Sequence, residues 1–244
     1  QYALGKIYRD GQGVEKDIQK AVALFTLAAT KENSFAAFAL GKLYLAGDAA
    51  LPRDPAAALK WLTYAAELGN QFAQYRLGKL LLKGDDGIPK DVITAIRWLT
   101  AAAKQENGYA EYALALVYLT GEDAPKDSVK ALSLLKRSAG RGNQFAQYRL
   151  GKLLLQGEDA PKDVKAAIRW LTAAAEQGNQ YAQYALGKLY LLGKEVPKDR
   201  SSAIKWFQLA ADQGNEYAQY FLKHMDDRLG QPPVAAVISL FHHL

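Results

Sequence analysis

Gly178-Asn179-Gln180-Tyr181-Ala182-Gln183-Tyr184-Ala185-Leu186-Gly187-Lys188-Leu189-Tyr190-Leu191-Leu192-Gly193 decides the fold, because near-copies of this stretch recur along almost the whole chain. With Gly187 as the reference, the equivalent residues are Gly5, Gly41, Gly78, Ala115, Gly151, Gly187 and Lys223, spaced 36, 37, 37, 36, 36 and 36 residues apart. A fixed period in this range marks a solenoid, whose units bury their apolar faces against their neighbours. The 244 residues are therefore expected to form one continuous array with no domain boundary inside it.

Outward from the reference stretch, every period holds two helical segments, A and B. Helix A is predicted at about 34–46, 70–83, 107–120, 143–156, 179–192 and 215–228, preceded by the end of a first helix over 1–9. Helix B is predicted at about 17–31, 54–68, 91–104, 127–140, 163–176 and 199–212. Gly47, Gly84, Gly121, Gly157 and Gly193 stand where helix A should end, as left-handed C′ residues. Pro52, Pro89, Pro125, Pro161 and Pro197 follow in the loops, each two residues before an aspartate that starts helix B. Gly69, Gly142, Gly178 and Gly214 end helix B, and Asn70, Asn143, Asn179 and Asn215 cap the next helix A. Glu32 and Glu106 replace that glycine, which predicts a different turn shape in those two places.

Ala58, Leu62 and Ala65, four and three residues apart, form the buried stripe that a packed helix B needs. Trp61, Trp98, Trp170 and Trp206 recur at one position, with Leu24 and Leu134 in the other two units. They are expected to be core, in which case truncation of one to alanine would cost about 3–5 kcal/mol.

The recurrent Ala-x-x-x-Leu-Gly-x-Leu-Tyr-x-x-Gly of helix A, the Pro-Lys-Asp loop and the Ala-x-x-Trp-x-x-x-Ala-Ala-x-x-Gly-Asn of helix B resemble the Sel1-like repeat family, a relative of the tetratricopeptide repeats. Ala182–Gly193 and Ala203–Asn215 fit the pattern most fully, and the resemblance covers residues 1 to about 228. Departures are Ala115 and Lys223 at the glycine position, leucine in two tryptophan positions and the missing proline near Glu15. The resemblance implies an all-α, right-handed solenoid of antiparallel helix pairs, with helix A on the concave side and helix B on the convex side. It also implies an adaptor or scaffold rather than an enzyme. One branch of the family is stapled by disulfides, and the absence of cysteine sets this chain apart from it.

The pattern that speaks to function lies on helix A. Three residues before the reference stand Tyr2, Phe38, Tyr75, Tyr112, Tyr148, Tyr184 and Tyr220; one residue after it stand Lys6, Lys42, Lys79, Leu116, Lys152, Lys188 and His224. Positions four apart share a helix face. Six before the reference, on nearly the same side, come Phe35, Phe72, Tyr109, Phe145, Tyr181 and Tyr217. If the tetratricopeptide register transfers, this face lines the concave groove. The candidate partner-binding residues are then Tyr75, Lys79, Tyr112, Tyr148, Lys152, Tyr184, Lys188 and Tyr220. Tyrosine supplies contact area and a hydroxyl, and lysine a point charge for an acidic group, so the expected partner is an acidic or aromatic-containing segment of a protein. The alternative is that the tyrosines stack between repeats and the lysines only solvate the surface.

Other functions find less support. The net charge of +6 is spread over every repeat without a dense basic tract. A second class, binding of nucleic acid by aromatic and basic residues that stack single-stranded bases, stays open. No phosphate-binding loop occurs, Asp85-Asp86 and Glu122-Asp123 are turn carboxylates, and His224, His242 and His243 have no acidic partner at ligand spacing. No catalytic residue, metal site or cofactor is expected. No apolar run is long enough to span a bilayer; the compartment and oligomeric state stay open, with the cytoplasm as the default. Gln1 already stands inside a repeat, so the chain is expected to be a fragment.

Gly69–Leu82 is identical to Gly142–Leu155, and Ala95–Ala103 to Ala167–Ala175, which indicates duplication of a two-repeat block. After Gln231-Pro232-Pro233, residues 234–244 read as a last helix, and 229–244 is expected to cap the stack. With Tyr217-Ala218-Gln219-Tyr220-Phe221-Leu222, this ending also resembles the C-terminal repeat region of some bacterial conjugative relaxases. That would make the chain a non-catalytic tail of a DNA-processing protein.

Overall fold

A computed structural model describes residues 1–84 and 87–224. The predicted C-terminal helix, the pair Asp85-Asp86 and the histidines at 242 and 243 lie outside the described residues. Among those described there are thirteen α-helices and no strand. The A helices are α1 (Tyr2–Asp10), α3 (Ser34–Ala46), α5 (Gln71–Lys83), α7 (Gly108–Thr120), α9 (Gln144–Gln156), α11 (Gln180–Leu192) and α13 (Glu216–His224). The B helices are α2 (Ile18–Ala29), α4 (Pro55–Glu67), α6 (Val92–Lys104), α8 (Ser128–Gly140), α10 (Val164–Glu176) and α12 (Arg200–Asp212). Helices α1, α3, α5, α9 and α11 each pack most extensively on the B helix that follows, and α2, α4, α6, α10 and α12 pack in turn on the next A helix. The result is an all-α solenoid. It divides into two compact units, Gln1–Ser138 and Ala139–Leu244.

The helix starts are built as their residues dictate. The Asn33, Asn70, Asn107, Asn143 and Asn179 side chains accept from the backbone N–H three residues on, and so do those of Asp17, Asp54, Asp91, Asp127, Asp163 and Asp199. Each such cap is worth about 1 kcal/mol.

Three expectations about local structure need correction. Gly121, Gly157 and Gly193 end their helices in the left-handed conformation, but Gly47 and Gly84 do not: they combine φ 70 and 68 with ψ 163 and 156. Their loops to the next aspartate are one residue longer, which accounts for the 37-residue periods and redirects the chain into a region open essentially to glycine alone. The turns at Glu32 and Glu106, conversely, keep the common shape. Both residues adopt left-handed φ, 60 and 65, and Asn33 and Asn107 donate to Ala28 and Ala102 as Asn70 does to Ala65.

The tryptophans are the third correction. Trp61, Trp98, Trp170 and Trp206 are only half-buried, while the next residue, Leu62, Leu99, Leu171 or Phe207, is fully enclosed. One residue is a 100° step around a helix, enough to move a ring from the interior to its margin. There Arg97, Arg169 and Lys205 lie 5.1, 5.4 and 5.2 Å from the centres of the indoles that follow them. The enclosed leucine explains the reference glycine. A Cβ at Gly41, Gly78 or Gly151 would lie 2.6–2.7 Å from Cγ of Leu62, Leu99 or Leu171, and one at Gly187 2.6 Å from the Phe207 ring. Helices A and B can approach this closely only where one of them carries no side chain.

Candidate functional site

Close approach of the helix pairs sets the A helices side by side within each unit, so their aromatic positions meet. Rings three before the reference contact rings six before the reference in the following repeat. In the first unit the pairs are Tyr2 with Phe35, Phe38 with Phe72 and Tyr75 with Tyr109, at centroid separations of 6.3, 6.4 and 5.9 Å. In the second they are Tyr148 with Tyr181 and Tyr184 with Tyr217, both at 6.0 Å. One ring of each pair is half-buried and its partner is largely exposed, up to 55% at Tyr181. The tyrosines therefore pack between repeats in tilted contacts, with only Phe38 and Phe72 of these pairs stacked, and the same rings present aromatic surface to solvent.

The lysines behave differently in the two units. Lys6, Lys42 and Lys79 are exposed and sit 6.0, 5.8 and 5.9 Å from the ring four residues earlier, at cation–π distance. In the second unit Lys152 and Lys188 are half-buried and line a cavity of about 860 Å³ together with Tyr148, Tyr181, Tyr184 and Tyr217. Leu155, Leu189 and Leu192 give it an apolar lining. Burial holds the Lys152 ammonium below the ordinary lysine range, and the charge of Arg149 adds to this. Burial does the same at Lys188, reinforced by Lys152 and Lys194. The Tyr184 phenol is pushed up to about 12, chiefly by burial and further by Tyr217 and Tyr148. Its hydroxyl is buried without a hydrogen-bond partner.

Of the eight candidate residues, the structure brings Tyr148, Lys152, Tyr184 and Lys188 into this one cavity. Tyr75, Lys79 and Tyr112 belong to the first unit, where burial raises the Tyr75 pKa, with the neighbouring Tyr109 and Tyr112 adding to the effect against Arg76. Tyr220 lies in the second unit but outside the cavity lining; its ring stacks on His224 at 4.2 Å. Tyr181 and Tyr217 complete the cavity and were absent from the candidates, although their recurrence six residues before the reference marked them as sharing this side.

Among the described residues no helix is long and apolar enough to cross a membrane, and no cluster of three or more histidines or carboxylates is placed to hold a metal ion.

Comparison with known proteins agrees with this architecture. No curated protein sequence gives a significant match. Among solved structures, the Sel1 repeat protein from Oxalobacter formigenes is similar at 34% identity and a TM-score of 0.83, covering 92% of this chain and 64% of that one. A protective antigen of uropathogenic Escherichia coli with an SLR fold is similar at 32% identity and a TM-score of 0.50, covering 94% and 57%. An immunity protein from Pseudomonas aeruginosa shares the fold at 18% identity and a TM-score of 0.54, covering 96% and 90%. The chain thus spans about 60% of the length of the first two. The Sel1 repeat matches six consecutive segments, 1–33, 34–70, 71–107, 108–143, 144–179 and 180–215. Proteins built from this repeat generally mediate protein–protein interactions on a scaffold that is typically non-catalytic, and with six copies filling residues 1–215 the chain belongs to the Sel1 repeat family.

Proposed function

We propose that the array is a non-catalytic scaffold that holds a segment of a partner protein on its helix-A face, with the second-unit cavity as the main point of attachment. The observation that carries this is the cavity itself, where Lys152 and Lys188 meet exposed aromatic surface and, among the described residues, no carboxylate is paired to either lysine. Half-dehydrated ammoniums beside aromatic rings favour an acidic, aromatic-containing chain, since a carboxylate restores the electrostatic stabilisation that burial removes.

The test is site-specific photo-crosslinking in the source cells, with p-benzoylphenylalanine placed at Tyr181 or Tyr217, or at Ile204, an exposed position on α12. Adducts to one protein from the first two positions, and none from Ile204, support the helix-A face. Adducts from Ile204 alone would move the function to helix B. Exposed rings beside lysines are also the arrangement that stacks single-stranded bases. Steeply salt-dependent binding of oligo(dT), lost on Tyr181→Ala, would favour a nucleic-acid-associated role.

A further inference from the structure

The cavity of the second unit is more selective than an open groove. Resting on the helix-A face as the binding surface, we propose that it takes a two-part anchor from the partner protein: a large apolar side chain adjoining an acidic residue, whose carboxylate lies between Lys152 and Lys188.

The lining separates into two chemistries. Leu155, Leu189 and Leu192, with the faces of Tyr148 and Tyr184, form apolar surface. A volume of about 860 Å³ is in the range that accepts a compact ligand or two to three residues of a peptide. The cationic part is made by the same helical position in successive repeats, Lys152 on α9 and Lys188 on α11, with Lys194 at the edge. The acids that line the cavity do not neutralise them. Glu195 is engaged by Lys162 at 2.8 Å, and Glu216 is an exposed residue in the first turn of α13.

Among the described residues, each ammonium is therefore held in a partly dehydrated place under the influence of other cations, and burial first and those charges second hold both below the ordinary lysine range. An arriving carboxylate reverses that disadvantage at both lysines. An apolar side chain alone would leave them dehydrated without compensation, and a carboxylate alone would leave the leucines in contact with water. The two parts are worth most when they arrive on adjacent residues. A phosphate fits less well, because none of the described lining residues is an arginine that would grip it through a two-pronged hydrogen bond, and its second charge must be stripped of water against leucine.

The probe is the peptide acetyl-Gly-Phe-Asp-Gly-amide, added to the full chain carrying ¹³C-labelled lysine and tyrosine and followed by NMR. Controls replace Asp by Asn, Phe by Ala, or Asp by phosphoserine. The expected result is that the Phe-Asp peptide shifts the Lys152, Lys188 and Tyr184 signals and raises the titration midpoints of both lysines, while each control binds about tenfold more weakly. Lys188→Gln should reduce the preference for Asp over Asn, with Lys152 still present, and leave the Phe contribution in place. Equal binding of the Asp and Asn peptides, tighter binding of the phosphoserine peptide, or no shift at Lys152 and Lys188 with any probe would overturn the proposal. Crosslinks from Tyr217 alongside such a result would keep the helix-A face and remove only this anchor.

Discussion

The Arg137 guanidinium lies 2.6 Å from Glu111 Oε1, and Glu111 is fully enclosed while Arg137 remains half exposed. In four other repeats the position of Glu111 is a glutamine, Gln74, Gln147, Gln183 or Gln219, whose amide donates to a carbonyl at the end of the preceding helix B. The exchange of glutamine for a buried carboxylate is matched by arginine at a position that is Ala101 or Ala173 in two related repeats. Removing one member of a buried pair costs about 3–5 kcal/mol, and solvent at the arginine lowers this to roughly 2–4 kcal/mol for Arg137→Ala. The double variant Glu111→Gln, Arg137→Ala restores the common chemistry and should recover most of the loss in urea unfolding. An additive pair of effects would show that the two residues are not coupled.

Tyr184 sets an alkaline limit to stability. Its pKa in the folded protein is raised to about 12 from 10.0, so the folded state keeps a proton that the unfolded chain releases first. Its contribution is complete below pH 10 and is lost as pH rises from about 10 to about 12. Tyr184→Phe should therefore lose less stability over that window than the parent protein. At neutral pH it should be neutral or slightly stabilising, by under about 1 kcal/mol, because the hydroxyl it removes is buried without a hydrogen-bond partner. Thermal unfolding of the two proteins at pH 8 and pH 11 measures both effects.

The solenoid was legible because its signals are local and repeated. Asparagine and aspartate caps, loop prolines and the reference glycine each act within a few residues, and copies in register reinforce one another. The cavity was not legible, for a reason visible in the duplicated block. Lys79 and Lys152 occupy identical stretches, Gly69–Leu82 and Gly142–Leu155, yet the first is exposed and the second half-buried. The copied stretch is the same in both, so the difference comes from residues outside it; a Gly-Lys pair in the next repeat is not enough, since Lys6 and Lys42 are followed by one and are exposed. Burial at that position is not a property of the stretch alone, and a pattern read one repeat at a time does not contain it. The tryptophans misled in a related way: size and recurrence suggested core, while the helix phase gave the enclosed place to the adjacent leucine or phenylalanine.

Glu32 is exposed and holds a left-handed φ of 60, where Gly69, Gly142, Gly178 and Gly214 adopt φ between 83 and 89. A side chain in this region costs about 1 kcal/mol or more through crowding of its Cβ against the backbone. Glu32→Gly should raise stability by about 1 kcal/mol without altering the turn, in which Asn33 still donates to Ala28. Gly178→Glu, at a site where an added Cβ meets no atom within 4 Å, should lose a similar amount. Chemical denaturation of the two variants is the check. No gain from Glu32→Gly would mean that the glutamate is held by interactions that offset its backbone strain.

Lys188 separates binding from stability. Its pKa is depressed by burial first, then by the charges of Lys152 and Lys194, so the folded protein holds this proton less tightly than the unfolded chain does. A depressed folded pKa contributes stability that is present above the ordinary lysine value of 10.5 and is lost as pH falls through the folded value. At pH 7 the charged lysine is therefore a liability to the fold. Lys188→Met keeps the length and apolar stem, removes the charge from the cavity and should raise the midpoint of thermal unfolding at pH 7 by on the order of a degree or two. The advantage should shrink as pH approaches 10.5, where the parent lysine also becomes neutral. The same variant should lose crosslinking to its partner from the Tyr217 position, because the carboxylate then meets one cation in place of two. A gain in stability together with a loss of binding is the pattern of a residue kept for its ligand. A loss of stability at pH 7 would instead assign Lys188 to the packing of the array.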